Sequence, residues 1–203
     1  MPIILPLGRT VKAYLRLYRD TGPALSIGCR NCEGATLHKH GRYWRTAVTS
    51  RKVYRIPIYR WKCPGCGATV SVLPDFLAPY AQFVSLVREG AVRRRLGGLT
   101  VKEIAIRACS APAGGLSLRS VYRWLAKARL KATDWTTVLS DRLLRMQPGA
   151  DLFRLSPHWQ GLDATLKALC GLGDLCRRQV PSVQNHPGLF AYCNGLSARL
   201  ARL

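Results

Sequence analysis

The chain has 203 residues, 48% of them apolar, and sets 32 Lys plus Arg against 10 Asp plus Glu for a formal charge of +22. A field of that size draws in polyanions and strains a single small globule by self-repulsion, so it points to a nucleic-acid partner and to several small modules. No apolar run reaches the roughly 18 residues of a membrane span, and Arg outnumbers Lys 24 to 8, which suits bidentate contacts to phosphate and guanine better than diffuse attraction to a lipid surface.

In chain order, residues 1–28 open on a short apolar stretch, Met1 to Leu7, followed by Arg9 and Lys12. It lacks the basic start and the length of a signal peptide, so the expected location is cytoplasmic and nucleoid-associated. Val11, Tyr14, Leu15 and Tyr18 recur at helical spacing and predict a lead helix over Thr10 to Tyr18. Pro23 and Gly28 end that pattern.

Residues 29–75 hold the most specific signal. Cys29 and Cys32 form one C-x2-C pair, and Cys63 and Cys66 form another, with Pro64 and Gly67 supplying turn chemistry at the second. Two such pairs deliver four thiolates to one tetrahedral ion, so the expected cofactor is Zn2+. The 30 residues between the pairs exceed the usual spacing of about 15 to 20. Eight cysteines used this way fit a reducing compartment rather than disulfides. Between the pairs, Tyr43 to Val48 and Arg51 to Lys62 read as strands, with Pro57 marking an edge. Arg42, Arg45, Arg51, Arg55 and Arg60 alternate with Trp44 and other aromatics, the composition of a nucleic-acid surface. His38 and His40 are nearby but unneeded as ligands.

The run from Arg60 through Cys63, Cys66 and Thr69, followed by Leu73 to Tyr80, resembles the zinc-ribbon region at the start of certain bacterial insertion-sequence transposases and related short transposon-borne proteins. His40, Gly41, Arg42 and Tyr43 are similar to a turn of that region. The resemblance covers about residues 25 to 130 and implies that a helix-turn-helix follows the ribbon.

Residues 76–132 support such a unit independently. Pro79 suits a first helical turn, Phe83, Val87 and Ala91 space out an apolar stripe through Arg95, and Gly97 with Gly98 closes it. Thr100 and Glu103 form a capping box that opens a short helix through Ala108. Ser117 caps a longer helix over 118–131, with Leu118, Val121, Leu125 and Ala128 facing inward. Arg119, Ser120 and Arg123 are the candidates for base contacts, and Lys127 and Lys131 for phosphate. The connector from Cys109 to Leu116 is long for a tight turn and includes Pro112, Gly114 and Gly115.

Residues 133–203 predict further amphipathic helices: one capped by Asp134, one near Leu162 to Cys176, and one from Leu189 onward. They suggest either a small bundle or a surface for a partner, a transposase or other mobile-element protein or a second copy of the chain. Cys170, Cys176, His186 and Cys193 have poor ligand spacing and read as core residues. The resembled transposases cut DNA with three carboxylates on a separate catalytic fold, whereas Asp163 and Asp174 stand here without a third partner. The expectation is thus an α+β, non-enzymatic protein: a small zinc-ribbon hairpin, a mainly α helix-turn-helix domain and C-terminal helices, binding double-stranded DNA. Two alternatives stay open, an RNA-binding or ribonucleoprotein component and a truncated transposase that works with a separate catalytic subunit.

Overall fold

The computed structural model describes residues 2–110, 116–152, 161 and 163–200. It is a mixed α and β structure built on one five-stranded sheet of order β1-β5-β4-β3-β2. The strands are β1 (Ile3–Leu5), β2 (Ile27–Gly28), β3 (Thr36–Val48), β4 (Val53–Lys62) and β5 (Thr69–Pro74). Only β1, beside β5, pairs in parallel. Helix α1 (Val11–Tyr18) crosses between β1 and β2, capped by Thr10, whose Oγ1 accepts the Ala13 N–H at 3.0 Å. It lies on the sheet through Tyr14, which is fully buried and donates its hydroxyl to the Pro57 carbonyl at 2.7 Å. Burial pushes the Tyr14 phenol well above its usual range.

Two features of the hairpin differ from the sequence expectation. Strand β3 begins at Thr36 rather than Tyr43, because a bulge between Lys39 and Gly41 lets the chain shift register and go on pairing. Gly41 takes φ of +137° there, which a side chain would oppose. Strand β4 is central, not an edge, yet Pro57 fits it. Its second neighbour, β5, pairs only along Tyr59 to Lys62, so no ladder donor is wanted from residue 57 on that side.

Helices α2 (Ser85–Leu96), α3 (Val101–Arg107) and α4 (Leu118–Met146) follow, then α5 (Ala164–Gln179), α6 (Pro181–Gln184) and α7 (Leu189–Leu200). The start of α2 falls at Ser85 instead of Pro79, because residues 79–80 form a turn and residues 82–84 are tied by their backbone to the end of β3. Val48 N–H donates to the Gln82 carbonyl at 2.8 Å, and Val84 N–H donates to the Val48 carbonyl at 3.0 Å. These bonds satisfy backbone groups that a helix would otherwise claim. The α3 capping box forms as expected, with Thr100 Oγ1 accepting from Glu103 N and the Glu103 carboxylate accepting from Thr100 N at 2.8 Å.

Helix α4 is continuous for 29 residues, so the joint expected at 132/133 lies inside it and Asp134 is an exposed mid-helix residue. The reason is the buried stripe Val121, Leu125, Ala128, Ala132, Trp135, Leu139 and Leu143, which keeps i+3/i+4 spacing through the expected break with no Pro or Gly to stop it. Leu118, assigned to that stripe from the sequence, is 47% exposed.

A single apolar cluster runs from Ile4 through Trp61 and Ile104 to Cys193, so the sheet, α2–α4 and the C-terminal helices share a core. Polar ties reinforce it. Glu89 of α2, only 3% exposed, accepts the Phe190 N–H at 3.1 Å and thereby caps α7. Gly188 is required there, since a Cβ would come within 2.6 Å of Glu89 Oε2. Buried His186 pairs with buried Asp75 just after β5. The apolar stripes of α5 and α7, such as Leu166, Leu169 and Leu189, are buried against the chain's own α2 and α4, which is the small bundle among the two uses the sequence suggests.

Candidate functional site

Two short turns and one long hairpin assemble the cysteine cluster. Cys29 N–H donates to the Ala35 carbonyl at 2.7 Å and Cys63 N–H to the Ala68 carbonyl at 2.9 Å, which closes each loop on its own backbone. Gly34 and Gly67 both adopt φ of +71°, the left-handed conformation that lets each loop reverse. Between them the antiparallel β3–β4 pair returns the chain to its start, with His38 opposite Lys62. That return accounts for the long gap: the hairpin lengthens outward while its two ends stay adjacent.

The four donor sulfurs of Cys29, Cys32, Cys63 and Cys66 lie within 4.8 Å of one another. Cys29 Sγ is 3.6 Å from Cys66 Sγ, and Cys63 Sγ is 3.9 Å from Cys32 Sγ. A tetrahedral ion with metal–sulfur bonds of about 2.3 Å needs edges of about 3.8 Å, while a disulfide needs about 2.05 Å, so the spacing fits metal ligation and not a bridge. The backbone N–H of Cys66 holds the Cys63 thiol down to about 7, and hydrogen bonding with the Cys66 side chain pushes Cys32 up to about 12. The cluster could therefore hold a metal ion, with Cys63 sealed from solvent and Cys66 at the rim. Neither His38 nor His40 joins it. Cys170, Cys176 and Cys193 are core thiols, and burial drives the first two up to about 11.

The five hairpin arginines do not form one surface. By register, Arg42 and Arg55 share a face with Trp44, and their guanidinium carbons lie over its ring at 5.4 and 5.6 Å. Arg42 also donates to the Arg19 carbonyl at the end of α1, at 2.9 Å. Arg45 and Arg60 project from the opposite face, Arg60 onto Thr69 Oγ1 at 2.9 Å, and Arg51 sits exposed in the β3–β4 turn. Arg45 is turned inward. It donates to the carbonyls of Ala81 at 2.6 Å and Ala78 at 3.5 Å, which makes it a brace for the 78–81 loop rather than a free cation.

The helical candidates stay together. Ser117 Oγ accepts from Ser120 N at 3.2 Å and lies 2.9 Å from Ser120 Oγ, so Ser120 belongs partly to the cap of α4. Arg119, Arg123, Lys127 and Lys131 all face solvent, beside exposed Tyr122. None has an ion-pair partner among the described residues, although Lys131 lies 5.7 Å over the Trp135 ring. The connector residues Pro112, Gly114 and Gly115 lie outside the described residues.

The carboxylates are placed differently. Arg129 donates to Asp163 at 2.7 and 2.9 Å, and Arg93 grips Asp174 with two bonds of 2.7 and 3.0 Å. These pairs join α5 to α4 and α2, and the two acids do not converge on a common ion. Sequence reasoning passed over Arg88 and Tyr80. Arg88 Nε is buried without a hydrogen-bond partner, and Tyr80 is 98% exposed with φ of +58°. No local pattern marks either, because each owes its environment to the loop braced by Arg45.

The fold and site together define a mixed α/β protein with a four-cysteine centre beside solvent-facing cationic elements. The model of one family, described as Domain of unknown function (DUF6431), matches residues 29–111, which take in both cysteine pairs, the hairpin, α2 and α3. No curated protein and no solved structure matches the chain. Among the described residues no helix is long and apolar enough to cross a membrane.

Proposed function

We propose that the protein is a zinc-dependent, non-enzymatic DNA-binding protein whose α4 enters the major groove. The observation that carries this is the N-terminal half of α4, where Arg119, Arg123, Lys127 and Lys131 face solvent without a carboxylate partner among the described residues. In a chain of +22 charge, six of the ten acids, Asp75, Glu89, Glu103, Asp141, Asp163 and Asp174, are taken up in ion pairs that do not involve these four side chains, which leaves them a cation-rich edge of the helix. Helices α2 and α3 pack behind it in the manner of a helix-turn-helix brace. Zinc suits four cysteine thiolates at tetrahedral spacing, and its role is structural: it ties the hairpin base so that Arg42, Arg55 and Trp44 are held at a constant position relative to α4.

The similarity of the hairpin and the following loop to transposase N-termini makes a mobile-element role the natural setting, with the protein recognising an element end, a target or an operator. A partner would meet the outer faces of α5 and α7, since their apolar stripes are buried. Selection from a random duplex pool tests the reading. It should yield a preferred motif bound about 10^3-fold tighter than random duplex, and Arg123→Ala should erode that preference more than it erodes binding as such. Equal affinity for all duplexes, or better competition by structured RNA at matched salt, refutes it.

A further inference from the structure

Arg88 on α2 is the one arginine whose Nε is buried with no hydrogen-bond partner among the described residues; its only bond runs from Nη2 to Ser85 Oγ at 3.2 Å. Other part-buried arginines are treated differently: Arg93 and Arg129 each grip a carboxylate. Burial pulls the Arg88 guanidinium down to about 10, as a desolvated cation without a counter-charge requires. Such a group is costly to keep unless something anionic completes it.

Its surroundings indicate what that is. Arg88 lines a cleft of ≈ 530 Å³ between the 79–83 loop and α4. The α4 wall presents Ser120, Arg123 and Lys127, spaced i, i+3 and i+7 along one stripe, and no acidic residue lines the cleft. The opposite wall is rigidly placed: Arg45 braces the Ala81 carbonyl, and the Phe83 ring meets Trp124 edge-on at 5.0 Å. Tyr80 stands on the rim, almost fully exposed and in a left-handed conformation that only a braced loop sustains.

We infer that this cleft is a phosphate-binding site in which Arg88 and Lys127 neutralise a phosphate group, while Ser120 and Arg123 on its α4 wall are left for the neighbouring base edges. The source assigned here, a phosphodiester of bound duplex DNA, rests on the DNA-binding reading above; the phosphate chemistry does not. With the backbone seated there, Tyr80 is positioned beside the neighbouring sugar or base.

The test uses the full chain with zinc, Arg88→Met and Lys127→Gln. Inorganic phosphate, set against chloride at equal ionic strength, should raise the melting temperature of the wild type and not of Arg88→Met. Without phosphate, Arg88→Met should melt no lower than the wild type, because it removes an uncompensated buried charge. Lys127→Gln changes only an exposed side chain, keeps the fold, and should still reduce the phosphate shift. On duplex DNA, Arg88→Met should weaken binding about tenfold for preferred and random sequences alike and lower the salt slope by about one. A phosphate shift retained in both variants overturns the site. A shift that depends on Arg88 in a protein that binds no duplex keeps the site and assigns it to free phosphate, and it is then the DNA reading that fails.

Discussion

Replacing Cys63 by Ser isolates the contribution of the metal centre. Cys63 is fully buried, its N–H and carbonyl are both bonded within its own turn, and its Sγ lies 3.9 Å from that of Cys32. Serine preserves the turn and removes one thiolate. If free zinc stands about 1,000-fold above its dissociation constant, binding contributes about 4 kcal/mol to stability. At roughly 2 to 4 °C per kcal/mol for a chain of this size, loss of the ion lowers Tm by about 8 to 16 °C. The loss should be global, because Cys63 directly follows β4, whose Ile56, Ile58 and Trp61 sit in the same core as Ile104 and Leu139. Thermal unfolding followed by circular dichroism, with and without chelator and with metal analysis, reads this directly. The wild type should carry one zinc per chain and fall on chelation to the Cys63→Ser value. A wild type that holds no metal and melts within about 2 °C of the variant, whether or not chelator is present, refutes the structural role of the centre.

Two further substitutions separate positions that look alike in the sequence. Arg45→Met removes the bonds to Ala78 and Ala81 from a part-buried site and should cost about 1 to 3 kcal/mol in denaturant unfolding. Arg55→Ala should leave stability within about 0.5 kcal/mol while weakening duplex binding in a filter or anisotropy assay. Gly173→Ala would place a Cβ 2.5 Å from Cδ2 of fully buried Leu189, so it should destabilise the α5–α7 contact by about 1 to 3 kcal/mol despite alanine's better helix propensity. A stabilised Gly173→Ala would show that Leu189 has room to move.

What the chain's local patterns disclosed, they disclosed because the relevant physics acts over a few residues. The paired cysteines with Gly67, the Ser117 cap and the Thr100–Glu103 box each depend on spacing alone, and all form. Strand β4 was likewise legible as a strand, as was the cationic row on α4. The start of α2 was not, because Phe83 carries an equally good helical period and only the edge of β3 decides that its backbone pairs with Val48.

The larger decisions belong to the tertiary structure. Composition and short-range spacing are enough for a four-thiolate cluster, a strongly basic chain and capped helices, and these are already present in the sequence. It did not determine that α4 runs unbroken past Asp134, that Arg45 braces a loop while Arg55 faces out, that Asp163 and Asp174 are taken by arginines, or that Arg88 has no acid beside it. A charged side chain reads the same in the sequence whether it meets solvent, a carbonyl or a carboxylate. Which it meets is set by packing between elements far apart in the chain, and that packing separates the cations that hold this fold together from those left free for a ligand.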